Sequence, residues 1–534
     1  MDHLLTTVLL LALATSAATA AEYWFVRDGR PVNVETEGAD LAQIDGAVTL
    51  GGVGKMLWGA AVIGDGDATI RARLRIEGLR HSAASLVIDG ASHFGFEGGG
   101  GTMFVEGPAL GGETVSIGDP VVEEGEAFDL EARLRGDTIS FFIDGREVHQ
   151  QQFAGASLGL VGLRPHRATL FVESFMVESE AMVEDWKPLP HTAVFTSGAD
   201  GYHTYRIPAL IVSSEGTLLA FAEGRRNNRS DHGDIDMMLR RSTDGGATWE
   251  PLQLVYEEGG DAEITIGNPC PVVDRETGRI WLPFCRDNDD VLVTYSDDDG
   301  LTWAEPREIT PQVKPEGWGW YATGPGVGIQ LQRGEHAGRL LIPCDHRERI
   351  DGAWRMFSHA FFSDDHGETW QVGANVGLHT DECQAVELTD ARVLMNCRNY
   401  WERTGGVEER GGMRAVALSE DGGETWGDLH FDDALEEPVC QASLIRYSAE
   451  DMGDDRSRLI FANPASSAGR TRMTVRVSYD EGETWPVSRL VNPGSSAYSS
   501  LTRLPDGRIG LLYECDDYRE IAFVAMELGW LEEE

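Results

Sequence analysis

Five octapeptides in the second half of this chain follow one rule, which limits the possible folds more than any other feature. They are STDGGATW from Ser242, SDDDGLTW from Ser296, SDDHGETW from Ser363, SEDGGETW from Ser419 and SYDEGETW from Ser478. All fit S-x-D-x-G-x-T-W, at spacings of 54, 67, 56 and 59 residues. The fixed positions suit a tight turn. Aspartate accepts backbone N–H bonds there, glycine supplies a positive φ, and tryptophan anchors the turn between layers. Each copy follows a strand-like run, such as DIDMMLRR or MTVRVSYD. A repeat of this length, with several strands in each unit, points to propeller blades. Six four-stranded blades are expected over residues 193–534. Strands near YRIPALIVSS and TLLAFAEG, closed by the C-terminal run RIGLLYECDDYREIAFVAMEL, are expected to supply the sixth. The repeat defines a fold and leaves the reaction open.

Residues 21–182 hold no cysteine and read as strands between Gly/Asp turns. ATIRARLRIEGL, SFFIDGREVHQQQF and ATLFVESFMVE alternate apolar and polar residues, as half-buried strands do. The DG pair of FFIDGREV is a hairpin signal. A jelly-roll β-sandwich is expected, and the pattern resembles concanavalin-like (laminin-G-type) domains. That resemblance implies a glycan-binding or spacer role. VEDWKPLPHT, residues 183–192, carries two prolines and reads as a linker. The expected fold is thus all-β, a six-bladed β-propeller preceded by a concanavalin-like sandwich.

Residues 1–20 read as a signal peptide, with an apolar core from Leu4 to Ala14 and an A-x-A cleavage site at Ala18-Thr19-Ala20. The product is expected to be secreted or periplasmic. The apolar run is too short to span a bilayer comfortably, and no later segment does better. The net charge of −45 argues against a nucleic-acid partner, which wants a basic face. Only three residues are lysine (Lys55, Lys187, Lys314), so nearly all positive charge is arginine. Seven cysteines lie between Cys270 and Cys515, with no metal-binding spacing. Cross-strand disulfides Cys270–Cys285 and Cys383–Cys397 or buried free thiols are both compatible with the pattern.

YRIP, Tyr205 to Pro208, stands ahead of every octapeptide. Together with the five repeats, known as Asp boxes or BNR repeats, it resembles the sialidase (neuraminidase) family of exo-α-sialidase type. The resemblance covers the whole second half. It implies three arginines, from separate blades, that grip the substrate carboxylate. Arg206 of YRIP, Arg398 of MNCRNY and Arg470 of NPASSAGRTRM match them, with Arg472 a second candidate for the third. Guanidinium bonds a carboxylate through two parallel N–H groups, which lysine does not do. In so acidic a protein, a local arginine cluster has to capture the anion.

The family nucleophile is a tyrosine, matched by Tyr498 of SAYSSLTRLPDGRIGLLYE; Tyr513 reads as core. A neutral phenol avoids the repulsion an Asp or Glu would meet at a carbon that bears a carboxylate, but it needs a neighbouring base. Glu382 of DECQAVEL matches that base. If LTDAR is a hairpin turn centred on Asp390, Glu382 and Arg398 fall opposite each other, within cross-strand reach. Glu387 has the opposite parity. The acid/base matches Asp231 in RRNNRSDHGDID, and Arg225 matches the family's loop arginine, with Arg226 an alternative. Arg229 reads as solvated, and Asp234 and Asp236 as turn and strand-end residues. EGWGWYATGPGVGIQL resembles a loop near the family's pocket, where Trp320 and Tyr321 line the glycerol or N-acetyl side or pack. His346 of CDHR resembles a family position and receives no role.

The resemblance implies a retaining exo-α-sialidase acting on sialylated glycans through a covalent Tyr498 adduct, with no cofactor; the sequence shows no metal motif, and its Asp-rich turns leave bound calcium open. Two alternatives remain open in the sequence. One is transfer to a sugar acceptor, or intramolecular transfer, on the same fold. The other is a non-catalytic glycan-binding propeller.

Overall fold

The computed structural model describes residues 20–37, 41–53, 55–79, 82–98, 101–155, 157–179, 183–260, 262–401, 411–467 and 469–533. The signal peptide expected over residues 1–20 lies outside them, Ala20 apart. The chain divides into two compact units between Lys187 and Pro188, and both are built from antiparallel sheets.

The first unit contains one nine-stranded and one eight-stranded sheet. Alternation sets their faces. In Ala68–Glu77, Ile70, Ala72, Leu74 and Ile76 are buried, while Arg71 and Arg73 point outward to pair with Glu131 and Asp129. The inward residues form one core, in which Phe94 of one sheet stacks on Phe141 of the other at 4.3 Å. The DG hairpin forms between Thr138–Ile143 and Arg146–Gln152, with Asp144 and Gly145 both at positive φ (48° and 73°). The expected linker is partly structured. Its first residues, Val183–Asp185, pair with Met56–Asp65.

The second unit holds five sheets arranged as propeller-like blades, of four, five, five, four and seven strands. The seven-stranded sheet is two runs joined by one long strand, Val487–Arg503. Its first part pairs with Thr471–Ser478, and its second with Ile509–Cys515. Closure differs from the sequence expectation. Thr204–Val212 and Leu218–Arg225 form a sheet of their own with Ile235–Ser242 and Gln253–Tyr256. The C-terminal strand Glu520–Met526 pairs instead with Thr192–Thr196, a short strand just ahead of YRIP. The physical reason is that four successive strands around the first box already complete a sheet.

Each box folds as its composition requires. Within all five, the aspartate Oδ1 accepts the threonine N–H at 2.8–2.9 Å and its Oδ2 accepts the threonine O–H at 2.5–2.6 Å. The serine Oγ accepts the glycine N–H. That glycine has φ between 77° and 92° and faces the preceding sheet: Gly300 meets Leu219, Gly367 Trp281, Gly423 Leu341 and Gly482 Leu394. Gly246 of the first box faces Phe523 of the last sheet, so the sequence of sheets closes on itself. A cavity of about 720 Å³ lies among the ends of the inner strands, lined by Leu210, Val272, Ala385, Leu444 and Leu501.

All seven cysteines are buried, and no disulfide joins any two of them. Cys383 and Cys397 are direct cross-strand partners, whereas Cys285 faces Gly267 rather than Cys270. Among the described residues, no helix is long and apolar enough to cross a membrane, and no His/Cys/Asp/Glu group is arranged to hold a metal ion.

Candidate active site

Three of the sequence-matched residues sit where strand pairing slips. Arg206 precedes a bulge that ends at Ala209, Glu382 lies between Thr380 and Cys383, and Tyr498 lies between Ser496 and Ser499. Bulges turn side chains away from the regular sheet faces. Here they aim three chains at one place.

Arg206 is buried, and Glu514 holds its edge. Its Nε donates to Oε1 at 2.7 Å and its Nη2 to Oε2 at 3.2 Å. Ile207 takes a left-handed φ of 61°, costly for a β-branched residue, and its N–H donates to the same Glu514 Oε1 at 2.9 Å. The Tyr498 N–H reaches Glu514 Oε2 at 3.2 Å. One carboxylate therefore fixes an arginine, a strained bulge and the backbone of the tyrosine.

Glu382 and Arg398 meet across their strand pair, where Nη1 donates to Oε2 at 2.5 Å. The same Nη1 donates to Tyr498 Oη at 3.1 Å, and the Tyr498 O–H donates to Glu382 Oε1. Burial pushes the Tyr498 phenol well above its usual range and Glu382 adds to the rise, while Arg398, Arg470 and Arg206 oppose it. The phenol is therefore neutral at ordinary pH and hydrogen-bonded to a carboxylate that can take its proton. Arg206 and Arg470 flank its ring, with guanidinium carbons 5.0 and 5.4 Å from the centroid.

Asp231 lies on a loop, with its side chain 64% exposed. Arg225 Nη1 is 2.8 Å from its Oδ1, and Arg206 Nη1 is 3.7 Å away. Burial pushes this carboxyl up, but Arg225 and Arg206 outweigh it and hold it below its ordinary value. Arg225 is itself buried, anchored through Nε and Nη2 on Glu223 Oε2 and through Nη1 on the Arg229 carbonyl. Arg226 turns away to Asp236. Arg229 is half exposed and pairs loosely with Asp517 at 3.5 Å.

The structure separates Trp320 from Tyr321. Tyr321 is fully buried, with its hydroxyl on His359 Nε2 at 2.9 Å. It is core and lines no binding surface. Strand pairing shifts between Trp318 and Tyr321, and beyond the shift Tyr321, Ala322 and Thr323 are all buried. Trp320 is partly exposed and meets His232, beside Asp231, and Arg347. His346 is buried against Trp318 and His359, and burial pushes its pKa down to about 3. Glu387 binds Gln332 and Arg333 at the far end of its strand. Tyr513 is core.

Sequence reasoning missed Glu514, Glu223 and Asp345. Glu514 was legible in principle, since a lone carboxylate inside the apolar strand IGLLYEC must find a cation. Asp345 is buried near Asp381 and Glu382, and its carboxyl is pushed well up, first by burial and then by those neighbours.

Fold and grouping define an Asp-box propeller with a tyrosine ringed by arginines. Residues 216–511 match the BNR repeat-like domain family. The chain is 40% identical over 357 residues to a sialidase of Micromonospora viridifaciens, covering 63% of this chain and 53% of that one. It is 32% identical over 382 residues to an exo-alpha-sialidase of Aspergillus fumigatus, covering 62% and 86%. In fold it resembles the Hadza microbial sialidase Hz136, at a TM-score of 0.58 and 24% identity over 88% of this chain and 96% of that one. The chain belongs to the sialidase family with BNR repeats. It spans about half the length of the Micromonospora relative.

Proposed function

We propose that the protein is a retaining exo-α-sialidase that releases terminal α-linked sialic acid from glycoproteins, gangliosides and oligosaccharides. One observation carries this reading: the Tyr498 O–H donates to Glu382 while Arg206, Arg398 and Arg470 gather around the ring. A site that holds three guanidiniums beside a nucleophile suits a substrate with a carboxylate at the reacting carbon.

The roles follow from charge. The arginines take the carboxylate. Glu382 accepts the Tyr498 proton as the phenolic oxygen attacks the anomeric carbon, and Asp231 gives its proton to the departing glycosidic oxygen. Water then attacks the tyrosyl glycoside, Asp231 takes the water's proton, and Glu382 returns the proton to Tyr498. Asp231 must begin protonated, yet Arg225 and Arg206 favour its anion. A bound substrate carboxylate offsets the Arg206 charge, and a covering aglycone dries the loop. Both raise the Asp231 pKa when the proton is needed.

In the same reading, the second unit is a six-bladed propeller. Its last blade combines the end of Val487–Arg503 with Ile509–Cys515, Glu520–Met526 and Thr192–Thr196. The first unit is a concanavalin-like sandwich, residues 183–192 join the two, and residues 1–20 are a signal peptide of a secreted or periplasmic product. N-terminal sequencing of exported protein checks the last point, with Ala21 expected first.

The test of function is turnover of a fluorogenic sialoside by wild type and Asp231→Ala, with the released sugar followed by NMR. The α anomer should appear first. An initial β anomer rules out retention, and a wild type that cleaves other glycosides but no sialoside rules out the substrate class.

A further inference from the structure

We propose that Tyr518 is a positioning residue that aims Arg206 and Arg470 at the substrate carboxylate; this rests on the sialidase reading above. Tyr518 lies just past Glu514, on a turn with an unusual backbone. Asp516, Asp517 and Tyr518 have φ of 48°, 52° and 63°, three successive non-glycine residues in the left-handed region. Such a run persists only where its surroundings over-determine it. Ser197 Oγ donates to the Tyr518 carbonyl at 2.7 Å, the Asp517 N–H donates to Ser495 Oγ at 3.1 Å, and the Arg519 N–H donates to the Asp516 carbonyl at 3.1 Å.

The turn delivers one phenol to two arginines. The Tyr518 ring lies against Arg206, whose guanidinium carbon is 4.5 Å from the centroid. Its hydroxyl accepts from Arg470 Nη1 at 3.1 Å. Arg206 is thereby held at one edge by Glu514 and on one face by Tyr518. Arg470 is held by Tyr518 and, at 3.4 Å, by the Val439 carbonyl. Arg398 takes its orientation elsewhere, from Glu382 and Tyr498.

A phenol suits this place better than a carboxylate. It accepts a hydrogen bond and offers a π-face without cancelling positive charge, so both arginines stay electrostatically open to an anionic ligand. Carboxylates already stand beside Arg206 in Glu514 and, at 3.7 Å, Asp231, and a further one in place of Tyr518 would compete with the substrate.

Two variants of the full chain test the assignment. Tyr518→Phe keeps the ring and removes the acceptor for Arg470. Its KM for a fluorogenic sialoside should rise about tenfold, with kcat within about twofold of wild type. Tyr518→Leu also uncovers Arg206 and should raise KM further; if it misfolds, the phenylalanine variant decides alone. The discriminating readout is inhibition by free sialic acid compared with its methyl ester. Both variants should bind the acid more weakly and the ester as wild type does. Equal weakening of acid and ester, or an unchanged KM, overturns the proposal. Failure of the underlying reading looks different, because wild type itself would then bind the acid no better than the ester.

Discussion

In an Asp box the aspartate finds its partners within four residues, whereas at the candidate site Arg206 reaches across 308 residues to Glu514, and Tyr498 across 116 to Glu382. Both regions put carboxylates into tight hydrogen-bonded geometry. The box does so five times over with local bonds, so each copy stands or falls on its own segment and the sheet beneath it. The site exists once and needs strands from several sheets in register. Damage to a box should therefore cost stability and spare chemistry, while damage at the site should do the reverse, except where one residue serves both.

The largest expected effect tests the chemical side. Tyr498→Phe should lower kcat on a sialoside by about 10²–10⁴-fold, with an unchanged denaturant midpoint. Full activity in this variant would remove the covalent mechanism. Glu514→Gln is the case that joins the two regions. It leaves Arg206 without its buried counter-charge, and it should cost about 3 kcal/mol of stability together with a raised KM, read by denaturant unfolding and steady-state kinetics. Loss of stability alone would show that Arg206 keeps its aim without Glu514.

Gly367→Ala puts a Cβ 2.3 Å from Trp281 at a φ of 86°. It should cost roughly 2–3 kcal/mol in a denaturant series while kcat/KM per folded molecule stays at the wild-type value. A change in kcat/KM would mean that box and site are coupled through the blade. The smallest effect concerns acid. The Asp244 carboxyl is held down to about 2, first by the Thr248 hydroxyl and then by the Thr248 N–H. Its contribution is complete above the unfolded-state value near about 4 and is lost as pH falls through its folded value. Thr248→Val should therefore move the start of acid unfolding, followed by circular dichroism, to higher pH. An unmoved transition would show that this box does not report on acid stability.

The difference between local and distant bonding also explains what could be read from the sequence. The boxes were legible in the aspartate that accepts a backbone N–H and the glycine at positive φ, because both act inside eight residues; the serine and threonine hydroxyl bonds emerged only in the folded turn. The DG hairpin was legible for the same reason. Matched motifs located Arg206, Glu382, Arg398, Arg470, Tyr498 and Asp231, and all six lie in one linked set of contacts. Ring closure was misread, since pairing between Thr192–Thr196 and Glu520–Met526 depends on which strands are left over after every other sheet has formed. Tyr321 was misplaced because strand parity could not be fixed without knowing where the bulges fall. Glu514 and Tyr518 went unassigned because their meaning lies in an arginine some 300 positions away.

The long strand Val487–Arg503 gives the protein a calendar. It is shared by two runs of the last sheet and carries Tyr498 where the pairing passes from one to the other. During synthesis Arg206 emerges early and waits through most of the propeller before Tyr498 and then Glu514 leave the ribosome. Until the strand Glu520–Met526 has joined Thr192–Thr196, the circle of sheets is open and the tyrosine lacks its frame. A chain clipped ahead of Glu520–Met526 keeps every bond inside its five boxes and loses this pairing.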